Sequence, residues 1–363
     1  YAGAKLGFAL TFQPHPVSTL WPPNSILLAA LLLSRPRSWW FLLLAAFAAH
    51  LLVQINAEIP TAMILCWFVS NCSEALIGAS ILRYLAKSEP RFDNTQHVSW
   101  FILVALLAPF LSSFLDSAFV MLNRFGESSY WNVFRMRFFS NVLASLTLVP
   151  LIVTWRRADL SSLKRTPWQR YVEAGLLAIG LLIVGLVSFS SRMAVQNTTH
   201  ALLYLPLPLL LWAAIRFGPR GSSLVLVVVS VFEIWGAING FGPFAAQSAE
   251  MNALSVQLFL ILASMPLMFP TALIKERERA QQAASVKGMQ LEAALHTAQA
   301  ASQALIDSQQ KLHQSHNDVR KLLGRLIDVQ EAERRRISRE LHDDLNQKIA
   351  TLSVSISRVK RKL

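Results

Sequence analysis

His342 is followed at once by Asp343 and Asp344 and preceded by Arg334, Arg335, Arg336 and Arg339, in the stretch ERRRISRELHDDLNQKIA (333–350). An imidazole can carry a group that is transferred to it if one ring nitrogen is held and the other is left as a free nucleophile. Asp343 is positioned in sequence to accept a hydrogen bond from one ring nitrogen and so set the tautomer. Asn346 follows His342 by one helical turn and Gln347 by one residue more. Other residues that could do chemistry lie far upstream, as charges inside apolar runs: Glu74, Asp116, Arg135, Arg137 and Glu233. An ionisable side chain within a membrane segment is a candidate for sensing or ion passage. Pairing of Glu74 or Asp116 with Arg135 or Arg137, to hold helices together, is the alternative. The remaining histidines carry less. His313 and His316 have i, i+3 spacing but no third ligand nearby, and with His296 they read as solvated helix surface.

The elements that must position these residues follow from composition. The 363-residue chain is 53% hydrophobic and only 15% charged, and its mean hydropathy is positive, which is unusual for a soluble domain. All ten Trp precede residue 240, no aromatic residue follows Phe269 and no Pro follows Pro270. The chain therefore divides near residue 274 into a membrane part, 1–274, and a charged helical part. Without aromatics the second part is poorly equipped for a globular core, whereas Leu, Val and Ala suffice for a coiled coil. The net charge of +13 does not point to nucleic acid, because much of the excess lies in short loops between apolar runs.

Ten apolar runs are expected to cross the bilayer, at 1–13, 18–34, 39–55, 61–84, 98–121, 131–155, 170–191, 200–216, 221–239 and 253–274; 18–34 and 39–55 are short for a span. Alternating the loops backward from Lys275-Glu-Arg-Glu-Arg279 places twelve basic residues on one side and only Arg124 and Arg192 on the other. That asymmetry predicts a multi-pass membrane protein with an even number of spans and both chain ends inside. Cys66 and Cys72 fall six residues apart on one helix, about 9 Å along its axis, too far for a disulfide. Absence of an initiating Met, and a last residue inside a helical pattern, suggest a piece of a longer protein.

Beyond residue 274, Ala284, Leu291, Ala298, Leu305, Leu312, Val319 and Leu326 repeat every seven residues, the seam of a coiled-coil linker over 275–326. The next firm seam residue is Ile337, an eleven-residue step that unwinds a heptad supercoil locally. The stripe resumes through Leu341, Leu345, Ile349, Leu352, Ile356 and Val359. His342 is one residue past a seam position and so turned about 100° from it, facing water. The predicted fold class is thus all-α: a polytopic transmembrane bundle of about 8–10 spans, a coiled coil, and over 327–363 the first helix of a further bundle.

Two resemblances sharpen this reading. STLWPPNSILLAALLLSRPRSWW (18–40) is similar to the S-x-x-W-P-P-x-G opening of the first class of MASE-type membrane-associated sensor domains, and LVPLIVTW (148–155) resembles their mid-domain stretch. Ser25 stands where that family usually has Gly, and FFSNVLASLT replaces the Asp and Gly common before the later Pro. More specifically, residues 333–347 resemble the E-R-x-R-I-x-R-E-L-H-D-x-x-x-Q signature of nitrate-sensor-like histidine kinases. Glu333, Arg334, Arg336, Ile337, Arg339, Glu340, Leu341, His342, Asp343 and Gln347 fill its positions.

The second resemblance implies that His342 accepts a phosphoryl group, that Asp343 acts as general base or orienting partner, and that Gln347 positions the water that dephosphorylates a response regulator. Arg339, Glu340 and Asn346 would support them. It implies a homodimer joined through a four-helix bundle, and a cytoplasmic response regulator with a helix-turn-helix output domain. ATP and Mg²⁺ would be bound by a domain beyond Leu363, so that the present residues alone would not label themselves; no metal site is expected within them. The order of spans and helix is similar to that of the hexose-phosphate sensor kinase, and a second membrane protein is a further candidate partner. The rival readings are a transporter, or a receptor scaffold, with a coiled-coil tail.

Overall fold

The computed structural model describes residues 1–12, 17–54, 59–87, 91–126, 129–156, 166–189, 204–242, 244 and 248–360. Two compact units are distinguished, Tyr1–Gln281 and Gln282–Leu363. In chain order the elements are α1 (Ala2–Ala9), the two-residue strands β1 (Thr11–Phe12) and β2 (Val17–Ser18), α2 (Pro22–Leu33), a 3₁₀ turn at Pro36–Ser38, α3 (Trp39–Gln54), α4 (Thr61–Ala86), α5 (Thr95–Leu122), α6 (Tyr130–Arg156), α7 (Trp168–Phe189), α8 (Pro206–Ile238) and α9 (Ala249–Lys360). The architecture is all-α apart from the antiparallel β1–β2 pair, in which Thr11 faces Ser18 and Phe12 faces Val17. Seven of these helices are long and apolar enough to cross a bilayer.

Local chemistry explains where the helices start and stop. Pro22 and Pro23 occupy the first turn of α2, where a missing N–H is harmless. Asn94 caps α5 by accepting from the His97 N–H at 3.0 Å, as N-cap side chains do. Lys87 ends α4 in the left-handed conformation (φ 49°). The structure corrects the expected spans at the N-terminus. The run 1–13 holds only the eight residues of α1 before the chain enters β1. The run 18–34 holds the 12-residue α2, short for a bilayer by itself, because Pro22 sets its start and the β2 segment precedes it.

Helices α2, α4, α5 and α6 pack on one another and carry most of the buried core, including Leu28, Leu31, Ala75, Ala79, Val104, Ala108, Leu143 and Leu146. Small residues let the backbones approach: a Cβ on Gly78 would lie 3.1 Å from Leu28 and 3.7 Å from Ala108, the packing expected where lipid gives helices no hydrophobic reason to associate. α8 packs against α6 and α7.

The expected spans 200–216 and 221–239 meet in α8, which turns back on itself at Gly218 (φ 62°, ψ −155°). A Cβ on Gly221 would sit 3.5 Å from the Ala213 carbonyl oxygen, whereas eight residues of straight helix span about 12 Å. The two arms run along α7, with Leu209 against Gly180 and Phe232 against Gly185. The vertex is tied down by basic residues: Arg216 pairs with Glu173, Arg170 donates to the Arg216 carbonyl at 2.6 Å, and the Trp155 indole donates to the Arg220 carbonyl at 3.2 Å.

Lys275, at the same end of this unit, lies against the vertex, its Cε 3.6 Å from where a Gly218 Cβ would be. There the exit of α9 is held by the start of α5. Glu276 accepts from the Thr95 N–H (3.3 Å) and hydroxyl (2.9 Å), and Arg279 forms an ion pair with Asp93.

The vertex conformation is open only to glycine. Gly218→Ala is expected to destabilise the membrane unit by about 1–3 kcal/mol and to lower its unfolding midpoint in detergent. Gly175→Ala, inside α7 with nothing within 4 Å of the added carbon, should be neutral or stabilising by up to about 1 kcal/mol.

Candidate functional site

His342 lies in the uninterrupted helical stretch of α9 and is exposed. Its Nδ1 is 2.7 Å from the side-chain nitrogen of Asn346, one turn further on. Residues i and i+4 are neighbours on a helix surface, whereas i and i+1 diverge by about 100°. That geometry corrects the expected local partner: Asn346 engages the imidazole, and Asp343 makes no hydrogen bond with it in this chain. An amide can present its NH₂ to an unprotonated Nδ1 or its oxygen to an Nδ1–H. In both cases Nδ1 is occupied and Nε2 is the nitrogen left toward solvent. With the amide oxygen inward, Nε2 carries the lone pair that a phosphoryl acceptor requires.

The residues around it are ordered by local ion pairs. Arg336 reaches Glu333 (2.9 Å from Nε) and Glu340 (3.4 Å), Arg335 reaches Glu331 at 3.2 Å, and Lys348 reaches Asp344 at 2.7 Å. Arg336 holds the Glu333 carboxyl below the usual carboxylate range through their hydrogen bond, and Glu333 in turn raises the Arg336 guanidinium. Exposed pairs of this kind contribute little to stability but fix side-chain directions along the helix. Arg339 donates to the Arg335 carbonyl at 3.3 Å. Gln347 is exposed beside Asn346. Leu341, Leu345, Ile349, Leu352, Ile356 and Val359 form an apolar stripe that is 56–63% exposed in the single chain, far more than a helix leaves unpartnered in water.

The membrane unit gathers its charges differently. Glu74 pairs with no arginine. Its Oε2 accepts from Asn24 Nδ2 (3.0 Å), Ser112 Oγ (2.8 Å) and Asn141 Nδ2 (2.6 Å), which lie on α2, α5 and α6. Asp116, 5% exposed at its side chain, forms an ion pair with Arg137 Nε at 2.8 Å. The Arg137 guanidinium lies 5.3 Å from the centre of the Trp67 ring, within cation–π range. Arg135 pairs loosely with Glu250 (3.8 Å) and donates to Asn132 at 3.4 Å. Glu233 is 1% exposed and its two oxygens have no hydrogen-bond partner. The structure thus brings Asp116 and Arg137 together and leaves Glu74, Arg135 and Glu233 apart from them as partners. Charge alone pointed to Glu74 but not to Asn24, Ser112 and Asn141; their signal in the sequence is polar amides and hydroxyls within otherwise apolar runs.

A cavity of about 950 Å³ opens among the β1–β2 segment and the ends of α3, α4, α5, α6 and α9. Ile59, Val120, Phe125 and Glu250 line it, so it lies at the opposite end of the membrane unit from Thr95 and Glu276. A second cavity of about 250 Å³ shares Trp21, His50, Gln54 and Asn71 with it. Cys66 and Cys72 are both free thiols, and no cluster of three metal-ligating side chains occurs among the described residues.

Residues 1–278 match the MASE1 family model, and residues 333–363 match the model described as histidine kinase, HisKA_3. The probable diguanylate cyclase DgcE of Escherichia coli (strain K12) is 25% identical over 224 residues, covering 60% of this chain and 18% of that protein. The chain therefore spans less than a fifth of the length of the curated relative it matches. No solved structure matches. With its apolar bundle over the first stretch and an exposed, Nδ1-held His342 in the second, the chain is an integral membrane protein of the MASE1 family that carries a HisKA_3 histidine kinase segment at its C-terminus.

Proposed function

We propose that this chain is the sensing, linking and phosphoacceptor portion of a two-component histidine kinase in the bacterial cytoplasmic membrane. The observation that carries this is His342 itself: an exposed imidazole whose Nδ1 is held at 2.7 Å by Asn346, inside the stretch that matches the histidine kinase model. Residues 1–274 form the sensor, 275–326 the signalling linker and 327–363 the start of the dimerisation and phosphotransfer domain. The excess of basic residues on one set of loops supports a cytoplasmic C-terminus. DgcE is named for a different output, a diguanylate cyclase, and the likeness over 224 residues supports reading the part shared with it as separable from the kinase output proposed here.

ATP with Mg²⁺, bound by a separate nucleotide domain, supplies the phosphoryl group. The residues present here do the rest. Asn346, with its amide oxygen accepting from Nδ1–H, leaves the lone pair on Nε2 to take the phosphoryl group as ADP departs. Asp343, next in sequence but directed elsewhere on the helix, is assigned the proton, as general base toward an imidazole presented by the active dimer. Gln347 positions water for removal of phosphate from the aspartate of a response regulator with a helix-turn-helix output domain. Arg339 and Glu340 help to order this face. The exposed stripe through Leu341, Leu345 and Ile349 is assigned to the homodimer, each chain contributing to a four-helix bundle.

In vesicles containing the intact kinase, His342→Gln is expected to reduce labelling from radioactive ATP to background; persistent labelling would place the acceptor elsewhere. Gln347→Ala should label normally but remove phosphate from the response regulator more slowly, on the order of 100-fold, the scale of a misplaced water. The hold of Asp93 and Thr95 on the exit of α9 gives a second test. Asp93→Arg should shift the ratio of kinase to phosphatase activity severalfold, and Asp93→Arg combined with Arg279→Asp should restore it, with activities measured in parallel on the same vesicles.

A further inference from the structure

Around the larger cavity, the buried polar atoms without partners are mostly hydrogen-bond donors. Trp21 and Trp67 each carry an indole N–H with no acceptor, and the Ser140 hydroxyl, on a residue 2% exposed, has no partner. All three line the cavity. Arg137 lines it too. Its Nε is committed to Asp116, and among the described residues its terminal nitrogens have no hydrogen-bond acceptor. Buried donors are normally satisfied, and three of them on one cavity, beside the half-buried Arg137, call for an acceptor-rich occupant.

We propose that this cavity is a binding site for a small organic monocarboxylate with an aromatic or otherwise apolar body. With Nε engaged by Asp116, the two terminal nitrogens of the Arg137 guanidinium remain for an end-on, bidentate pairing with a carboxylate. The Trp67 ring, against which Arg137 lies, the Trp21 ring and Phe125 provide apolar walls for the body of the ligand. The charge balance admits no more than a single negative charge. Asp116 already neutralises much of Arg137, and Glu250 at the rim is itself acidic, so a dianion such as a phosphate monoester would bring excess negative charge into a desolvated site. Gln54 and Asn71 offer amides to any further polar group on the ligand.

The consequence for signalling rests on the proposed sensor role. A carboxylate on Arg137 loosens the Arg137–Asp116 pair, which joins α6 to α5 one turn from Ser112 and its bond to Glu74. α5 begins at Thr95, where Glu276 of the exit helix is held.

Benzoate is the probe, with benzamide as its uncharged isostere and phenyl phosphate as its dianionic counterpart, each added to the full chain in detergent at constant ionic strength. Benzoate should raise the unfolding midpoint saturably, phenyl phosphate less, and benzamide not at all. Arg137→Lys keeps a cation for Asp116 but loses the fork, and should weaken the apparent benzoate affinity roughly ten-fold. Asp116→Asn with Arg137→Gln, which removes both charges together and leaves neither buried alone, should abolish the shift.

Equal shifts with benzoate and benzamide, an unchanged response in Arg137→Lys or in the paired variant, or no shift at all would overturn the site. The midpoint does not depend on phosphorylation. Arg137-dependent binding that leaves His342 labelling in the intact kinase unchanged would keep the site and count against the sensor role instead.

Discussion

The membrane unit is organised around one carboxylate. Glu74 is buried in the middle of an apolar bundle, where an unsatisfied acceptor is expensive to keep. Its Oε2 is satisfied by donors from three other helices, Asn24 on α2, Ser112 on α5 and Asn141 on α6. Apolar packing alone would let these helices slide or rotate past one another at little cost in lipid. Three hydrogen bonds converging on one oxygen allow only one register. The small residues at Gly78, Ala105 and Ala108 then close the gaps around it, and the remaining core follows that register.

The same register sets where the two ends of the unit lie. Toward one end, α6 carries Arg137, paired with Asp116 of α5, to the wall of the large cavity, which Val120 of α5 also lines. At the other, the N-terminus of α5 holds Glu276 through the Thr95 backbone and hydroxyl, while Asp93 holds Arg279. A carboxylate at a helix N-terminus is favoured by the unpaired N–H groups there. α5 is thus a single helix, interrupted only by Pro109, that touches a cavity at one end and the departing helix at the other. A sensor needs such an element, since a stimulus can only shift an equilibrium through contacts that differ between two states.

His342 depends on none of this for its local geometry. Asn346 lies four residues on, and helical periodicity alone brings its amide to Nδ1. That dependence on backbone period also explains why Asn346, and not the adjacent Asp343, meets Nδ1 within the helix. The heptad seam, the basic loops and the motif around His342 were legible from spacing because each is a property of neighbouring residues. The partners of the intramembrane charges were not. Asp116 and Arg137 were candidates for each other, but so were Glu74 and Arg135, and nothing in their spacing chose among them.

The sequence by itself determined the all-α class, most of the apolar runs and the exposed face that carries His342. Hydropathy and helical periodicity act over a few turns, and for those features a few turns are enough. Only the tertiary structure decided that Glu74 is held by neutral donors up to 67 residues away, that two expected spans join in a hairpin at Gly218, and that the first apolar runs are short helices beside a strand pair. These are questions of which surfaces meet. In a bundle whose helices are apolar on nearly every face, the rare polar and small residues decide them, and their partners are distant in the chain.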